Sequence, residues 1–224
     1  MQRIIKRLVT LFYKPFLAKY LSSERSYSYG NIRLVIPPEV FHPGFFFSTR
    51  FLLRYIARQP LDQQAFLELG AGNGLMSIFA ADKGASVTAT DINPVAIEQL
   101  KKNQVQNKVT LEVIHSDLFD NIPVKAYDII AVNPPYFKKD PVTPIDHAWY
   151  CGKNGEYFDR FFKGLGAYTN DGSLVLMVLS DGCDLEMIEG YAQKYGWSWR
   201  QVSTRKNWME TLFIYEIGRN SLTF

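Results

Sequence analysis

The feature that most constrains this chain is a change of pattern at Ala65. From there, short apolar runs at 65–69, 86–90, 110–114, 127–132 and 173–178 alternate with helix-length segments at about 73–83, 94–103, 155–167 and 184–195. Strand and helix in strict alternation predict a parallel sheet with helices on its faces. Two further runs, 197–203 and 210–217, are joined by the short link Arg205-Lys-Asn-Trp208. Strands joined that closely must be antiparallel, because a parallel crossover needs a dozen residues or more. The expectation is an α/β fold with a seven-stranded, mostly parallel sheet whose last strand is antiparallel. In an open sheet of this kind, ligands bind in the crevice outside the carboxyl ends of the strands. The loops that follow the strands are therefore where function is sought.

Two of those loops stand out. The first is Phe66-Leu-Glu-Leu-Gly-Ala-Gly-Asn-Gly74. Gly70, Gly72 and Gly74 allow a sharp turn and a close backbone approach to a ligand. Their spacing after Glu68 differs from the Gly-x-Gly-x-x-Gly of dinucleotide binders, and a plain strand-to-helix turn has the same look. Asp91 ends the next strand, about twenty residues on, where a carboxylate takes the two hydroxyls of an adenosine ribose. Asp91-Ile-Asn-Pro94 also suits a helix start. Asn93 is the better cap of the two, which leaves Asp91 for a ligand.

The second loop is Asn133-Pro-Pro-Tyr136, after the buried run 127–132. Two prolines fix φ twice and stiffen the turn. Asn133 offers an amide oxygen, and Pro134 and Pro135 offer carbonyls without N–H groups. This is a rigid set of acceptors for one small donor such as a planar –NH2, with Tyr136 as a flat face for its plane. The bland alternative is a β-turn with structural prolines.

Taken together, Glu68 to Gly74, Asp91, Asp117 and Asn133-Pro-Pro-Tyr136 resemble class I S-adenosylmethionine-dependent methyltransferases. Within these the chain resembles the branch that methylates exocyclic amino or amide nitrogens, above all the short HemK-type enzymes that modify a release-factor glutamine. The resemblance runs from about Pro43 to Glu216 and includes Ala148-Trp149, Gly152-Lys-Asn-Gly155 and Asp159-Arg-Phe-Phe162. It implies a Rossmann-like catalytic domain over 46–224, preceded by an arm and hairpin extension over 1–45. It implies S-adenosylmethionine contacts at Thr49, Glu68, Gly70, Gly72, Asp91, Ile92, Asp117, Leu118 and Asn133. Asn133, Pro134 and Tyr136 become the catalytic set, and Pro135, Tyr136 and Trp149 meet the acceptor. Adenine methyltransferases share the tetrapeptide, so it marks a reaction type and not a substrate. Cys151 stands where the resembling proteins usually have glycine.

Composition limits the alternatives. The 224 residues suit one large domain, or one domain plus an extension. No apolar run is long enough to span a membrane. Cys151 and Cys183 make no disulfide framework, and with no signal peptide apparent the expected compartment is the cytoplasm. His42, His115 and His147 are scattered, with no metal-ligand spacing. The net charge of +3 is uneven: residues 1–23 carry Arg3, Lys6, Arg7, Lys14 and Lys19 without an acid, so the remainder sums to −2. The body therefore shows no excess positive charge for a phosphate backbone. A protein substrate is favoured over nucleic acid, and a binding protein without catalysis is the third reading.

The first 22 residues place Ile5, Leu8, Phe12, Phe16 and Tyr20 at helical spacing, with a break at Pro15. A packed arm, a membrane-surface arm and a transit peptide all fit that pattern. Residues 26–36 read as a hairpin turning at Gly30-Asn31. Residues 50–58 read as a helix, and the long loop 137–152 as a functional lid.

Overall fold

The computed structural model describes residues 22–44, 47–208 and 210–219. The basic arm, apart from Ser22, lies outside the described residues. The described chain opens with a hairpin, β1 (Arg25–Tyr29) and β2 (Ile32–Ile36), turning at Gly30 with φ of 56°. Helix α1 (Phe47–Ile56) follows. Then come β3 (Ala65–Leu69), α2 (Leu75–Asp82), β4 (Ser86–Asp91), α3 (Pro94–Gln106) and β5 (Glu112–His115). The second half holds β6 (Ile129–Val132), α4 (Glu156–Gly164), β7 (Leu174–Ser180), α5 (Leu185–Lys194), β8 (Trp197–Lys206) and β9 (Thr211–Arg219).

Strands β3 to β9 form one seven-stranded sheet in the order β5-β4-β3-β6-β7-β9-β8. The ladders among β3 to β7 are parallel, and β9 runs antiparallel to both β7 and β8. The chain moves outward from β3 to β5 and then returns to lay β6 beside β3. The strand order thus reverses between β3 and β6, and such a switch point opens a crevice at the carboxyl ends. The glycine loop after β3 and the turn at Asn133 after β6 leave the sheet at that point.

Alternate residues along each strand enter different cores, as a period of two requires. Phe66, Val87, Ala89, Ile129, Ala131, Leu176 and Ile214 pack with α1, α2, α3 and the hairpin. Leu67, Leu69, Ile130, Val132, Met177 and Tyr215 pack with Phe158, Phe161 and Phe162 of α4 and with Ile188 and Ala192 of α5. The result is a three-layer α/β fold.

The hairpin belongs to the first of these cores through Ile32, Leu34 and Ile36. Its open edge is met by two asparagines one turn apart, Asn103 of α3 and Asn107 at its C-cap. Asn107 accepts from the Arg33 N–H at 2.8 Å and donates to its carbonyl. Asn103 does the same for Val35, at 3.0 Å in both directions. Side-chain amides here stand in for a neighbouring strand and pair the backbone groups of this edge.

Most boundaries shift by a few residues from the sequence reading, and three of the shifts have a visible cause or consequence. Strand β5 begins at Glu112 and not at Thr110, because the Leu111 N–H donates to Gln104 Oε1 of α3 (2.8 Å) and not to a ladder. Strand β8 continues to Lys206, opposite Thr211, so the link is 207–210. It is closed by the Asn207 N–H on the Glu210 carbonyl and the Glu210 N–H on Asn207 Oδ1. Helix α1 starts at Phe47, which brings Ser48 and Thr49 into its first turn.

Candidate active site

The glycine loop is tied to the end of β4. The Ala71 N–H donates to the Thr90 carbonyl (2.8 Å), and the Gly72 N–H donates to Asp91 Oδ2 (2.8 Å). Two glycines serve different ends. Gly70 has φ of 70° and open space where a Cβ would stand, so its α-carbon faces the crevice. Gly74 has φ of 82°, and a Cβ there would collide with Leu100 of α3, so this glycine lets the helices pack. Asn73 between them donates to the Phe41 carbonyl (2.9 Å) and accepts from the Leu75 N–H (3.0 Å).

Asp91 also accepts from the Asn93 N–H at 2.8 Å. Burial raises its carboxyl above the usual range, against these two amides and the nearby His115 and His147. Asn93 is the cap of α3: its Oδ1 accepts from the Val95 N–H, and Pro94 takes the first helical position. Glu68 is more enclosed, at 2% exposure. Its Oε2 accepts from both the N–H and the hydroxyl of Ser77 on α2. Burial pushes its carboxyl up to about 8, with Asp91 adding to the shift and the Ser77 bonds opposing it.

Across the crevice, the Asn133 carboxamide is held at both ends. Its Nδ2 donates to Thr49 Oγ1 (3.3 Å), and its Oδ1 accepts from the Tyr136 hydroxyl (3.2 Å). The Tyr136 hydroxyl also lies 3.4 Å from the Val178 carbonyl at the end of β7. Burial keeps that phenol well above its ordinary value, so it remains a neutral donor. Pro134 and Pro135 are buried beside it.

Asp117 is held by a partner that lies 43 residues away. Arg160 of α4 donates to its carboxylate at 2.6 Å and to Asp120 at 3.0 Å. The next residue, Leu118, is nearly buried with φ of 50°. A side-chain-bearing residue in that left-handed conformation is strained. Ser116 secures the turn by donating to the Leu118 carbonyl while accepting from the Asn121 N–H.

The loop 137–152 forms the roof. Phe137 and Tyr150 bridge, with the Phe137 N–H on the Trp149 carbonyl and the Cys151 N–H on the Phe137 carbonyl. A 3-10 turn, Pro144–Ala148, is capped through Thr143 and Asp146. Lys138 reaches Asp184 at 2.6 Å, and the Trp149 ring packs on Phe41 at 5.4 Å. Burial raises the Cys151 thiol, which leaves it a poor nucleophile.

All thirteen residues singled out in the sequence line one cavity of about 850 Å³: Thr49, Glu68, Gly70, Gly72, Asp91, Ile92, Asp117, Leu118, Asn133, Pro134, Pro135, Tyr136 and Trp149. Sequence reasoning missed Ser48, Asn73, His147, Tyr157, Arg160 and Glu210, which line it too. Asn73 had a signal in its place between two glycines, and Arg160 in its place on the stretch 159–162. Ser48 and Glu210 had none. Six acidic residues line the cavity: Glu39, Glu68, Asp91, Asp117, Glu156 and Glu210. Among the described lining residues Arg160 is the sole lysine or arginine, and it is already paired. These residues fit a cationic adenosyl ligand: open space lies beside Gly70, a carboxylate sits at the end of β4, and the lining is acidic.

Comparison with known proteins agrees with this geometry. The family model of the methyltransferase small domain matches residues 31–148. A protein of Methanocaldococcus jannaschii, provisionally named a protein N5-glutamine methyltransferase, is 36% identical over 156 residues, 67% of this chain and 77% of that protein. Solved methyltransferase structures share the fold, among them the following two. The Mtq2–Trm112 complex of E. cuniculi, which methylates the eRF1 translation termination factor, matches 81% of this chain and 99% of its own, at 22% identity and a TM-score of 0.63. The T. thermophilus 16S rRNA N2 G1207 methyltransferase, bound to AdoMet and guanosine, matches 88% of this chain and 50% of its own, at 21% identity and a TM-score of 0.65.

Proposed function

Since the chain belongs to the methyltransferase small domain family and is an S-adenosylmethionine-dependent methyltransferase, we propose that its acceptor is the side-chain amide of a protein glutamine, as in release-factor methylation. The observation that carries this reading is the charge of the cavity. An acidic lining, with Glu68 protonated and five further acidic side chains beside one paired arginine, disfavours a phosphate backbone, which needs free lysine and arginine. A neutral amide carries no such penalty. The M. jannaschii relative supports the same class of acceptor.

The order of the strands supports the following parts for the residues. Asp91 ends β4 and would take the ribose hydroxyls, with Ile92, Asp117 and Leu118 about the adenine. Glu68 in β3, with Gly70 and Gly72 just after it, would take the amino-acid portion. Asn133 follows β6, and beyond it β7 and β9 border the acceptor side with Tyr136 and Glu210. The bound donor supplies an electrophilic methyl group on a sulfonium. An amide nitrogen is a weak nucleophile, and positive charge develops on it as it is methylated. The Asn133 Oδ1 and the Pro134 carbonyl would hold its hydrogens and bind that charge better than the neutral ground state. Pro135, Tyr136 and Trp149 would hold the amide plane in place. No strong base is needed, because the methylated cation is very acidic.

Tritiated S-adenosylmethionine, the protein and a cell extract make the test. Label that protease removes and nuclease leaves supports the amide reading, and acid hydrolysis should then release methylamine. Label removed by nuclease overturns it in favour of an adenine amino group. Asn133→Ala should lower turnover about 10²–10³-fold, by analogy with loss of one oxyanion-hole group.

A further inference from the structure

We infer that Glu210 selects the acceptor by charge: it takes a lysine or arginine side chain that flanks the methylated glutamine in the substrate chain. This rests on the reading of a glutamine-amide acceptor and extends it to the residues around that glutamine. Glu210 ends the link between β8 and β9 and immediately precedes β9. Strand β9 runs antiparallel to β7, with Leu212 opposite Ser180, and the Asp181 N–H donates to the Thr211 carbonyl at 2.9 Å. That register sets Glu210 at the carboxyl end of β7. Tyr136 comes to the same end, its hydroxyl 3.4 Å from the Val178 carbonyl. Both residues line the cavity. Glu210 therefore stands on the acceptor side, with only β7 between its strand and the one that Asn133 follows.

The backbone of Glu210 is paired within the link, through its N–H on Asn207 Oδ1 and its carbonyl on the Asn207 N–H. Its carboxylate has no hydrogen-bond or ion-pair partner among the described residues. Partial burial and the neighbouring Asp181 both raise this carboxyl, and no described cation opposes them. Lys138 of the roof is bonded to Asp184, and Arg160 to Asp117 and Asp120. A substrate that seats its glutamine at Asn133 covers this wall and takes water from it. A carboxylate that loses water without gaining a partner is costly, so an uncharged or acidic flank is disfavoured. A lysine or arginine replaces the lost water and is attracted by Asp181 as well. Discrimination thus comes from a penalty on the wrong flank as much as from a bond to the right one. Three extended residues reach about 10 Å, the breadth of a cavity of about 850 Å³. The flanking cation is therefore expected within three positions of the glutamine.

The test maps the methylated glutamines of a labelled cell extract by mass spectrometry. The substrate protein is then remade with its basic flanking residue changed to Ala or to Glu. Initial rates with saturating S-adenosylmethionine compare the parent, Glu210→Gln and Glu210→Lys on each substrate, and calorimetry measures donor affinity. Glu210→Gln should lose about 10–100-fold in kcat/KM on the natural substrate, the value of a hydrogen bond to a charged group. The Ala flank should cost the parent about as much, and the two changes together should cost no more than either one. Glu210→Lys should prefer the Glu flank, a reversal that a merely structural role would not produce. Donor affinity should stay within about twofold throughout. A mapped glutamine with no lysine or arginine within three positions overturns the inference. So do parental rates for Glu210→Gln, or losses that multiply in the combined pair. If Glu210→Lys does not fold, the Glu210→Gln pair with the Ala flank decides alone. Label that lies on no glutamine removes the reading of an amide acceptor, and the inference with it, whereas label on glutamine without a charge preference overturns the inference alone.

Discussion

At the scale of the residue, the acids of the cavity do more than face a ligand. Asp91 is both a ligand candidate and a structural acceptor, because its two oxygens take the Gly72 and Asn93 N–H groups. Asp91→Ala should therefore lower stability as well as affinity. Each N–H left without a partner costs about 1–3 kcal/mol, and loss of the ribose bonds should weaken S-adenosylmethionine binding by roughly 1.5–3 kcal/mol. Calorimetry and a thermal melt measure the two separately. A folded variant with parental affinity would remove the ribose assignment. Glu68 predicts a pH effect. Its ordinary value of 4.5 is raised to about 8 in the fold. Between those values the ligand-free folded state keeps a proton that the unfolded chain has released. The contribution of Glu68 is thus complete at low pH and is lost as pH rises through about 8. Glu68→Gln retains an acceptor for Ser77 without a titration. Melts between pH 5 and 9 should show the parent losing stability relative to the variant as pH rises. Parallel curves would mean that Glu68 does not hold its proton.

At the scale of the element, the hairpin and helix α3 form one unit with the glycine loop. Asn103 is fully buried, and its Nδ2 reaches both the Val35 carbonyl and the Asn73 carbonyl (3.1 Å). Gln99 donates to its Oδ1 at 3.0 Å. One side chain thus joins β2, α3 and the loop expected to hold the donor. Asn103→Ala strands backbone groups on two elements and should cost about 2–4 kcal/mol. Asn107→Ala, nearer the surface, should cost about 1 kcal/mol. Urea unfolding of the two variants checks the order. Equal small losses would show that the hairpin is held by Ile32, Leu34 and Ile36 alone. The roof over 137–152 is built in the same manner, from backbone bonds that join its ends and the Lys138–Asp184 pair that ties it to the start of α5.

At the scale of the whole molecule, a ligand in this cavity touches the ends of β4, β3 and β6 at once, so binding should stabilise the sheet as a unit. Donor at 100 times its dissociation constant should add about 2.7 kcal/mol. For a domain of this size that is a rise in melting temperature of about 5–11 °C. A melt that does not move under saturating donor would contradict a single shared site. Among the described residues no helix is long and apolar enough to cross a membrane. Much of this architecture was legible in the sequence. Apolar periodicity and the alternation of strand with helix are local properties, and they predicted the sheet, its antiparallel close at β9 and the crevice. The glycines and Asn133-Pro-Pro-Tyr136 were legible for the same reason, since their geometry is set by their own backbone restrictions. The contacts between those stretches were not. Arg160 on Asp117 and Thr49 on Asn133 join residues 43 and 84 positions apart. No periodicity encodes such a pairing. It follows only from how two helices settle on opposite faces of one sheet, and the side-chain packing of the folded molecule decides it.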